Sequence, residues 1–532
     1  MAELAIDGLL LSGVAAQEAI GGHRRIEVFQ SDPPGPAFVL TRSGPPHVCT
    51  PDPEGALHLP ADHVHPVAFD SGSFARSLPA WLGPAATGRL ALDRAAPSAY
   101  AMVEAACPAA TLVDAAALLE RLSGQPRTTA EPRAGKSEDA TMSTERLSGQ
   151  PPTTTAARAT TVGDRTPARD LHTVIGARRS RVGAAADGIE ADTWWCTTPE
   201  AIRMITGVSP FGSMCASAVV GDQLLVDATV GAALEHLPQR GRVAVDRITV
   251  GNRAQLLAAR PRLEIVDAGP IVMAGSTPRS AAEIDLLHEG YRRTEHAIEA
   301  TRQAACQPAR ALRTERDCAD ALARAGAQLG LEPHIDHVWT VLPRDRASVP
   351  WLRGAWAGRA PWRQLTAGGA LGSGGLLALD AGFFYEGYVT DFGWTFALDA
   401  EPTPTARALA GRWTKVADRV TAAIRPGATA ADLRAAALSG WDAPEPPWPF
   451  GLYVAHGVGF GGVVPPFAGT DFGVDVERAM VLQPGDVLMV EPYIFEDGVG
   501  GYRAERCVAV TESGAEVWTT LPIEELQPFA LA

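Results

Sequence analysis

The sequence has 532 residues, of which 46% are hydrophobic and 20% are charged, and its formal net charge is -15. A chain of this length exceeds what one hydrophobic core usually serves, so we expect two to four domains. The acidic balance disfavours nucleic acid and anionic membranes as partners, because both require a basic protein surface.

The first residues and the cysteines indicate the compartment. The N-terminal stretch MAELAIDGLLLSG has an acidic residue at Glu3 and no basic n-region, and its apolar run is too short to span a bilayer. The seven cysteines are scattered and never form a CxxC pair, which indicates neither a disulfide framework nor a thiolate zinc site. We therefore expect a cytoplasmic protein.

The N-terminal half contains an internal duplication. Residues 88–115 align without gaps on residues 241–268, with 12 of the 28 positions identical. Each copy has the pattern of a strand, an amphipathic helix and a strand, and each follows a similar earlier stretch. The sequence therefore predicts two duplicated α/β domains, at about 1–120 and 186–272.

The segment between these copies has an unusual composition. Residues 121–185 contain no Phe, Trp or Tyr, and the motif ERLSGQP occurs twice, at 120–126 and 145–151. A segment without aromatic anchors cannot easily offset its ordering entropy by burial. We therefore predict a flexible low-complexity linker over 121–185.

The pattern changes again at about residue 276. Apolar residues recur at helical spacing in SAAEIDLLHEGYRRTEHAIEATRQAA, a second helix is predicted at about 309–328, and two more are predicted within 403–440. Short apolar strands separated by turns make up most of the remainder. We predict an α+β domain over residues 276–532, with the chemistry on its sheet.

Five candidate site residues lie at or beside apolar, strand-like runs of this domain: Asp380, Asp391, His456, Glu491 and Glu505. An unpaired buried carboxylate is costly, and the nearby Arg503 and Arg506 are too few to compensate for four. A pair of divalent cations would compensate, and four carboxylates with one imidazole suit hard or borderline metals. Each acid taken alone is better explained as a turn residue or a strand-end cap than as a ligand. The hypothesis therefore depends on the joint order and spacing of the five residues.

This ordered pattern, D-x10-D followed by HGVG, VEP and RAE, resembles the "pita-bread" metallopeptidase family, which includes methionine aminopeptidase, prolidase, aminopeptidase P and creatinase. The stretches DAGFFYEGYVTD, IRPGATAADL and GYRAERCVAVTESG add to the resemblance, which covers about 275–522. Two creatinase-N-like α/β domains ahead of a pita-bread domain are similar to the three-domain branch of aminopeptidase P. The resemblance also implies a homodimer.

The resemblance implies a dinuclear metal site. Asp380 would be a terminal ligand of one ion, Asp391 and Glu505 would bridge the ions, and His456 and Glu491 would complete the second. Mn²⁺ is the first expectation, with Zn²⁺, Co²⁺ or Fe²⁺ as alternatives. Glu491 is also the candidate proton shuttle. Arg503 would hold a ligand carboxylate by a charge-assisted hydrogen bond, or else form a surface salt bridge.

The sequence departs from the family where peptide-cleaving members carry two further histidines that bind substrate. Trp362 and Arg363 stand at one of these positions and Val463 at the other. Loop residues His334 and His337 are either alternative donors or polar loop residues without a catalytic role. A loop rich in tryptophan, including Trp362, forms either a wall of the substrate cleft or part of the core. It contains Trp339, Trp351, Trp356 and Trp362. Trp394 stands where relatives commonly place an arginine.

We therefore expect a metal-dependent hydrolase similar to an Xaa-Pro aminopeptidase or dipeptidase and acting on short peptides. One alternative is a creatinase-like hydrolase or lyase acting on a small non-peptide amide in specialised metabolism, which the two absent histidines favour. The other alternative is a catalytically dead, peptide-binding domain of the same fold.

Overall fold

A computed structural model describes most of the C-terminal half of the chain and separate parts of the N-terminal half. The described residues are 5–11, 38–41, 47–50, 64–66, 71–92, 97–115, 168–207, 217–220, 224–227, 234–305, 312–333, 338–342, 371, 374–398, 401–443, 446–448, 453–470 and 473–529. Several predictions fall outside them, namely those for His334, His337, Trp362 and residues 121–167 of the linker.

The first part of the chain forms a six-stranded sheet with the strand order β4-β3-β2-β1-β5-β6. Its strands are β1 (Gly8–Leu11), β2 (Phe38–Thr41), β3 (His47–Thr50), β4 (Val64–Pro66), β5 (Arg89–Leu92) and β6 (Thr111–Asp114), and its helices are α1 (Ser71–Leu82) and α2 (Pro97–Ala106).

The next part forms a five-stranded sheet with the order β11-β10-β7-β8-β9. It comprises α3 (Ala168–Gly188), β7 (Thr193–Cys196), α4 (Pro199–Thr206), β8 (Ser217–Val220), β9 (Leu224–Asp227), β10 (Arg240–Val245), α5 (Val250–Ala259), β11 (Arg262–Asp267) and α6 (Gly269–Ser276). Both predicted strand–helix–strand units, β5-α2-β6 and β10-α5-β11, are present.

The two sheets share more than strand order. In the first, the carboxylate of Asp7 accepts the backbone N–H of Arg89 at 2.9 Å, and in the second the carboxylate of Asp192 accepts the backbone N–H of Arg242 at 2.7 Å. The residue before each arginine is a glycine, and a side chain at either glycine would collide with that carboxylate. These glycines are Gly88 and Gly241, which are equivalent in the sequence duplication.

The two sheets also pack against each other around a shared hydrophobic core. Helix α2 packs on β11 and its counterpart α5 packs on β6, as in an isologous interface. Tyr100 and Arg253 occupy equivalent positions and touch, with the guanidinium carbon 5.6 Å from the ring centroid. The Tyr100 hydroxyl donates to the carbonyl oxygen of Ile248 at 2.7 Å.

Helix α3 corrects the predicted linker, because Ala168–Gly188 is helical where the sequence predicted flexibility up to residue 185. Val174, Arg178 and Val182 are buried along one face of this helix at four-residue spacing. An arginine in the middle of the buried stripe, in a segment without aromatic residues, interrupts the apolar pattern from which a helix is predicted. The linker prediction is therefore wrong for 168–185.

The C-terminal part begins with α7 (Ala281–Ala305) and α8 (Glu315–Gln328), close to the predicted positions. The later elements are β12 (Glu332–Pro333), β13 (Val338–Val341), β14 (Leu376–Tyr385), β15 (Tyr388–Leu398), α9 (Pro404–Ala423), α10 (Ala430–Leu438), β16 (Ala455–Val458), β17 (Val463–Ala468), α11 (Val474–Ala479), β18 (Val487–Val490), β19 (Tyr493–Glu496), β20 (Gly500–Arg503), β21 (Arg506–Thr511), β22 (Gly514–Val517) and β23 (Gln527–Phe529).

Two sheets of this part are important for the site. The first has the order β12-β14-β15-β23 with β13 also paired to β14, and the second has the order β17-β16-β18-β21-β22. Helices α9 and α10 occupy the region of the two helices predicted within 403–440, and a capping box of Thr429 and Asp432 begins α10. The α+β prediction for this part is confirmed. None of the described helices combines the length and the apolar character needed to cross a bilayer.

Trp339 corrects the predicted tryptophan-lined cleft. It lies on β13, is fully buried and packs against Phe396 and Phe529, with ring centroids 6.0 and 5.5 Å away. The cleft interpretation is therefore wrong for Trp339, because strand pairing places its ring in the core. The other three tryptophans of that loop lie outside the described residues.

Candidate metal centre

The first two candidate ligands lie on the hairpin of β14 and β15. In its antiparallel register Asp380 faces Gly393 and Asp391 faces Gly382, so the two carboxylates are diagonal neighbours on one face. The glycines leave room for residues from the second sheet: a Cβ at Gly393 would lie 3.0 Å from Cγ of Glu505. Sequence reasoning missed Gly393, although the repeated D-x-G pattern, DAG and DFG, was a usable signal.

The second sheet supplies the other three candidates. His456 lies on β16, and Glu491 directly follows the neighbouring strand β18, with its backbone N–H bonded to the carbonyl oxygen of Val454 at 2.9 Å. Glu505 lies between β20 and β21, and its backbone N–H donates to the carbonyl oxygen of Gly393 at 2.9 Å. The site therefore lies at the seam between two sheets.

The structure brings all five predicted residues together. The His456 Nε2 atom is 3.3 Å from Asp391 Oδ2 and 3.1 Å from Glu491 Oε1. Asp380, Asp391 and Glu505 each offer a carboxylate oxygen, and these oxygens lie within 4.8 Å of one another. His456, Glu491 and Glu505 are buried.

Arg503 lies at the centre of the same cluster. Its Nη1 atom is 3.1 Å from Asp380 Oδ2, its Nε donates to Glu491 Oε2 at 3.0 Å, and its Nη2 contacts Glu505. Arg503 is buried, so the surface salt bridge that the sequence left open is wrong. This guanidinium and the His456 imidazole are positive groups in contact with the carboxylates of the cluster.

The pKa values show the excess of negative charge. Burial raises the pKa of Asp380 to about 7, with Arg503 opposing the shift and Asp391 and Glu491 adding to it. Burial also raises the pKa of Glu505 well above its ordinary value, against the influence of Arg503. Burial lowers the pKa of His456, but hydrogen bonds to Asp391 and Glu491 outweigh it and bring the value to about 10.

The donor set fits divalent cations. Glu505 Oε2 is buried and accepts no hydrogen bond from any described residue, which is costly for a carboxylate unless a cation supplies the missing partner. Three carboxylates that converge within 4.8 Å would repel one another without such a charge. Oxygen donors with one imidazole suit Mn²⁺ and related ions.

An apolar wall lies beside His456. Val463, at the position where peptide-cleaving relatives carry a histidine, is buried with Tyr453 and Phe467, and the Tyr453 ring centroid is 4.6 Å from that of His456. Val463 itself offers no side-chain hydrogen-bond donor. The position therefore carries an apolar side chain in place of a donor.

Trp394 faces away from the candidate ligands. Alternation along β15 places it on the face opposite Asp391, where its ring packs against Phe392 and Phe396. Its indole N–H donates to the carbonyl oxygen of Glu525 at 3.4 Å. The unusual residue of this strand is therefore part of the core.

Paired carboxylate strands, completed by a histidine and two acids from a second sheet, define a metal-dependent type of catalytic domain. Residues 285–512 match the sequence model of metallopeptidase family M24. This match lies within the C-terminal domain and confirms the resemblance of that domain to the pita-bread enzymes.

Two curated relatives have broad matches. The chain is 25% identical over 338 residues to agropine synthesis cyclase of Rhizobium rhizogenes, a match that covers 61% of this chain and 78% of the cyclase. It is 27% identical over 307 residues to creatinase of a Bacillus species, covering 53% of this chain and 67% of the creatinase. A shorter match, 30% identical over 152 residues, covers 41% of an uncharacterized peptidase of Bacillus subtilis.

Solved structures show the same fold. The prolidase of Pyrococcus horikoshii OT3 superposes with a TM-score of 0.52 at 17% identity, covering 66% of this chain and 100% of that one. The X-Pro aminopeptidase of Thermotoga maritima MSB8 has a TM-score of 0.52 at 16% identity, covering 66% of this chain and 99% of that one. At these identities the likeness concerns the fold alone.

Proposed function

We propose that this chain is a dinuclear metal-dependent hydrolase that cleaves an amide bond in a small substrate. The observation that carries the proposal is the convergence of four carboxylates and one imidazole at the seam of two sheets, with a buried oxygen of Glu505 left without a donor among the described residues. The match to family M24 supports the same reaction class.

The ligands divide between two ions as the family pattern implies. Asp380 would hold one ion, His456 and Glu491 would hold the other, and Asp391 and Glu505 would contribute to both. The contacts of His456 with Asp391 and Glu491 agree with this division. When bound, such ions lower the pKa of water and polarise a carbonyl group. Mn²⁺ is the first candidate metal.

Arg503 orients the Glu491 carboxylate, the candidate group for proton transfer. Arg503 binds Glu491 through Oε2, which leaves Oε1 on the side of His456. This fixed carboxylate can take a proton from water and return it to a leaving nitrogen. Arg503 also contacts Asp380 and Glu505, so it orients three of the four acids.

Two substrate classes fit this centre. A short peptide with an Xaa-Pro bond is the first candidate, supported by the match to a metallopeptidase family. A non-peptide amide is the second, because Val463 provides no donor to a tetrahedral intermediate and losing one such donor lowers turnover by about 100-fold or more. The broad matches to a cyclase and a creatinase also support the second candidate.

Metal analysis followed by an assay tests the proposal. Full-length protein, reconstituted with Mn²⁺ and desalted, is expected to hold two ions per chain. The loaded protein is then assayed with a panel of Xaa-Pro peptides and with small non-peptide amides, and chelation should abolish any cleavage. Fewer than one bound ion per chain would favour the peptide-binding alternative, and two ions without peptide cleavage would favour the non-peptide substrate.

We further propose that the N-terminal half consists of two copies of one creatinase-N-like α/β domain, at about 1–120 and 186–272. Five strands of each sheet follow the same order, β3-β2-β1-β5-β6 and β9-β8-β7-β10-β11, and this order supports the proposal together with the matched contacts of Asp7 and Asp192. A homodimer and a cytoplasmic location remain predictions from the sequence and the family.

A further inference from the structure

A buried arginine from outside the family-matched region reaches the back of the candidate metal centre. Arg178 on α3 is 1% exposed, and its guanidinium donates to the carbonyl oxygen of Met204 at 2.9 Å and to the hydroxyl of Tyr388 at 2.7 Å. The guanidinium carbon also lies 4.0 Å from the ring centroid of Phe460. One side chain thus joins helix α4, strand β15 and the loop after β16.

The carboxylate of Glu283 balances this guanidinium. The Tyr388 hydroxyl donates to Glu283 Oε1 at 2.8 Å, and the Nε atom of Arg178 is 3.7 Å from the same oxygen. Arg181 donates to both oxygens of Glu283. Burial raises the pKa of Glu283, but bonds from Arg181, Ser280 and Tyr388 outweigh it and bring the value to about 2, so the carboxylate is ionised.

The contacts of Arg178 fall at the joint between the two sheets that carry the ligands. Tyr388 is three residues before Asp391 on β15, and Phe460 is four residues after His456. Tyr388 and Phe460 form a β-bridge, and their rings lie edge to face with centroids 5.5 Å apart. Two backbone bonds flank the bridge, from Val389 to Gly459 at 2.9 Å and from Gly461 to Gly387 at 2.8 Å.

A guanidinium is suited to this joint. Burying a charged side chain is costly, and an apolar residue of similar volume often stabilises a core equally well. Burial alone therefore does not explain why position 178 is an arginine. Its planar fork, however, fixes the directions of two hydrogen bonds while its face stacks on an aromatic ring. Such a group sets the distance between β15 and the loop after β16, and with it the separation of Asp391 from His456.

We propose that Arg178 is a positioning residue for the metal centre, which sets the spacing of Asp391 and His456 and so the affinity for one of two bound ions. The inference rests on the proposed function, because it requires metal to bind at that seam. It makes α3, a helix from the N-terminal half, part of the catalytic unit.

The test compares R178M with R181M in the full-length protein. Both substitutions remove one positive charge from the same helix, and both arginines contact Glu283. Arg181 bonds to Glu283, Ala274 and Thr277, whereas Arg178 bonds to Tyr388. Mn²⁺ binding is followed by calorimetry, and the coupling between two ions by electron paramagnetic resonance. Thermal unfolding of the metal-free proteins is measured in parallel.

R178M is expected to bind one of the two ions about 10-fold more weakly and to lose the spin-coupled signal, whereas R181M should keep wild-type affinity within about 2-fold. Y388F removes only the hydroxyl that accepts a hydrogen bond from Arg178, so it should lower the affinity for the same ion a few-fold. If R178M does not fold, the Mn²⁺ affinity of Y388F tests the inference instead. Two ions bound with unchanged affinity in R178M and Y388F would overturn the inference while the proposed function stands. A wild-type chain that does not bind two ions would instead contradict the proposed function.

Discussion

Buried carboxylates occur in both halves of this molecule, but their surroundings differ. In the second N-terminal sheet, Asp246 is buried and accepts backbone N–H bonds from Thr197, Thr198 and Arg247, each at 2.8 Å. At the C-terminal seam, Glu505 is also buried, yet one of its oxygens accepts no hydrogen bond from a described residue.

The difference shows what marks a metal centre. A buried acid by itself indicates little, because a ring of backbone donors can satisfy it, as for Asp246. Several acids that converge without enough donors are unstable unless a cation joins them. We therefore predict that neutralising an acid at the C-terminal seam lowers metal affinity without lowering stability. Neutralising an acid in the second N-terminal sheet should lower stability without lowering metal affinity.

The largest effect is expected for D391N. Metal binding should be lost for at least one ion and turnover should fall by at least about 100-fold, since a ligand matters more than the groups that orient it. The metal-free variant should unfold at the wild-type temperature or above it, because one charge leaves a crowded cluster. Calorimetry with Mn²⁺ and thermal unfolding of the metal-free protein measure both effects. A clearly less stable metal-free D391N would remove the distinction between the two regions.

The matched substitution D246N should do the reverse. An amide places N–H groups against backbone donors, so the free energy of unfolding should fall by about 2 kcal/mol. Mn²⁺ affinity should stay within about 2-fold of wild type. Urea unfolding and calorimetry check these values, and weakened metal binding in D246N would show that the two regions are coupled more tightly than their contacts indicate.

Part of the site could be predicted from the sequence alone. The order of the five polar residues beside apolar strands was sufficient to bring Asp380, Asp391 and His456 into one hypothesis, because hairpin pairing and alternation are local properties. The same alternation, applied to β15, would have placed Trp394 with Phe392 and Phe396 on the face away from Asp391.

Other features depend on contacts between distant residues. Trp339 is buried by Phe396 and Phe529, neither of which its own segment reveals. Helix α3 was missed because its buried stripe contains Arg178, whose partners Tyr388 and Glu283 lie about a hundred residues or more along the chain. The seam between the two sheets likewise follows from packing, which no local pattern encodes.

Glu283 offers a further test, with a smaller effect. Its pKa of about 2 lies below the ordinary value of 4.5, so its stabilisation is fully present above about pH 4.5 and is lost as the pH falls towards 2. The difference in unfolding free energy between wild type and E283Q should therefore be constant from pH 6 to 8 and shrink below pH 4.5. Urea unfolding across this range checks the trend, and a difference that grows with acidity would contradict the ionised state of Glu283.

The smallest effect is expected from cutting the predicted linker. Trypsin cleavage between 121 and 167 should leave two fragments that elute together, because buried residues from both N-terminal sheets form one core. Mn²⁺ affinity should change by less than about 2-fold, since α3 stays with the C-terminal fragment. Size-exclusion chromatography with mass spectrometry follows the fragments, and their separation would show that the shared core does not hold them together.

The most direct test of the metal centre is anomalous diffraction from a crystal of the full chain grown with Mn²⁺. Two peaks are expected at the seam. One should lie beside Asp380 and the other beside His456 and Glu491, with Asp391 and Glu505 between the two peaks. A map with no peak at the seam would contradict the central claim that these buried acids are arranged for metal.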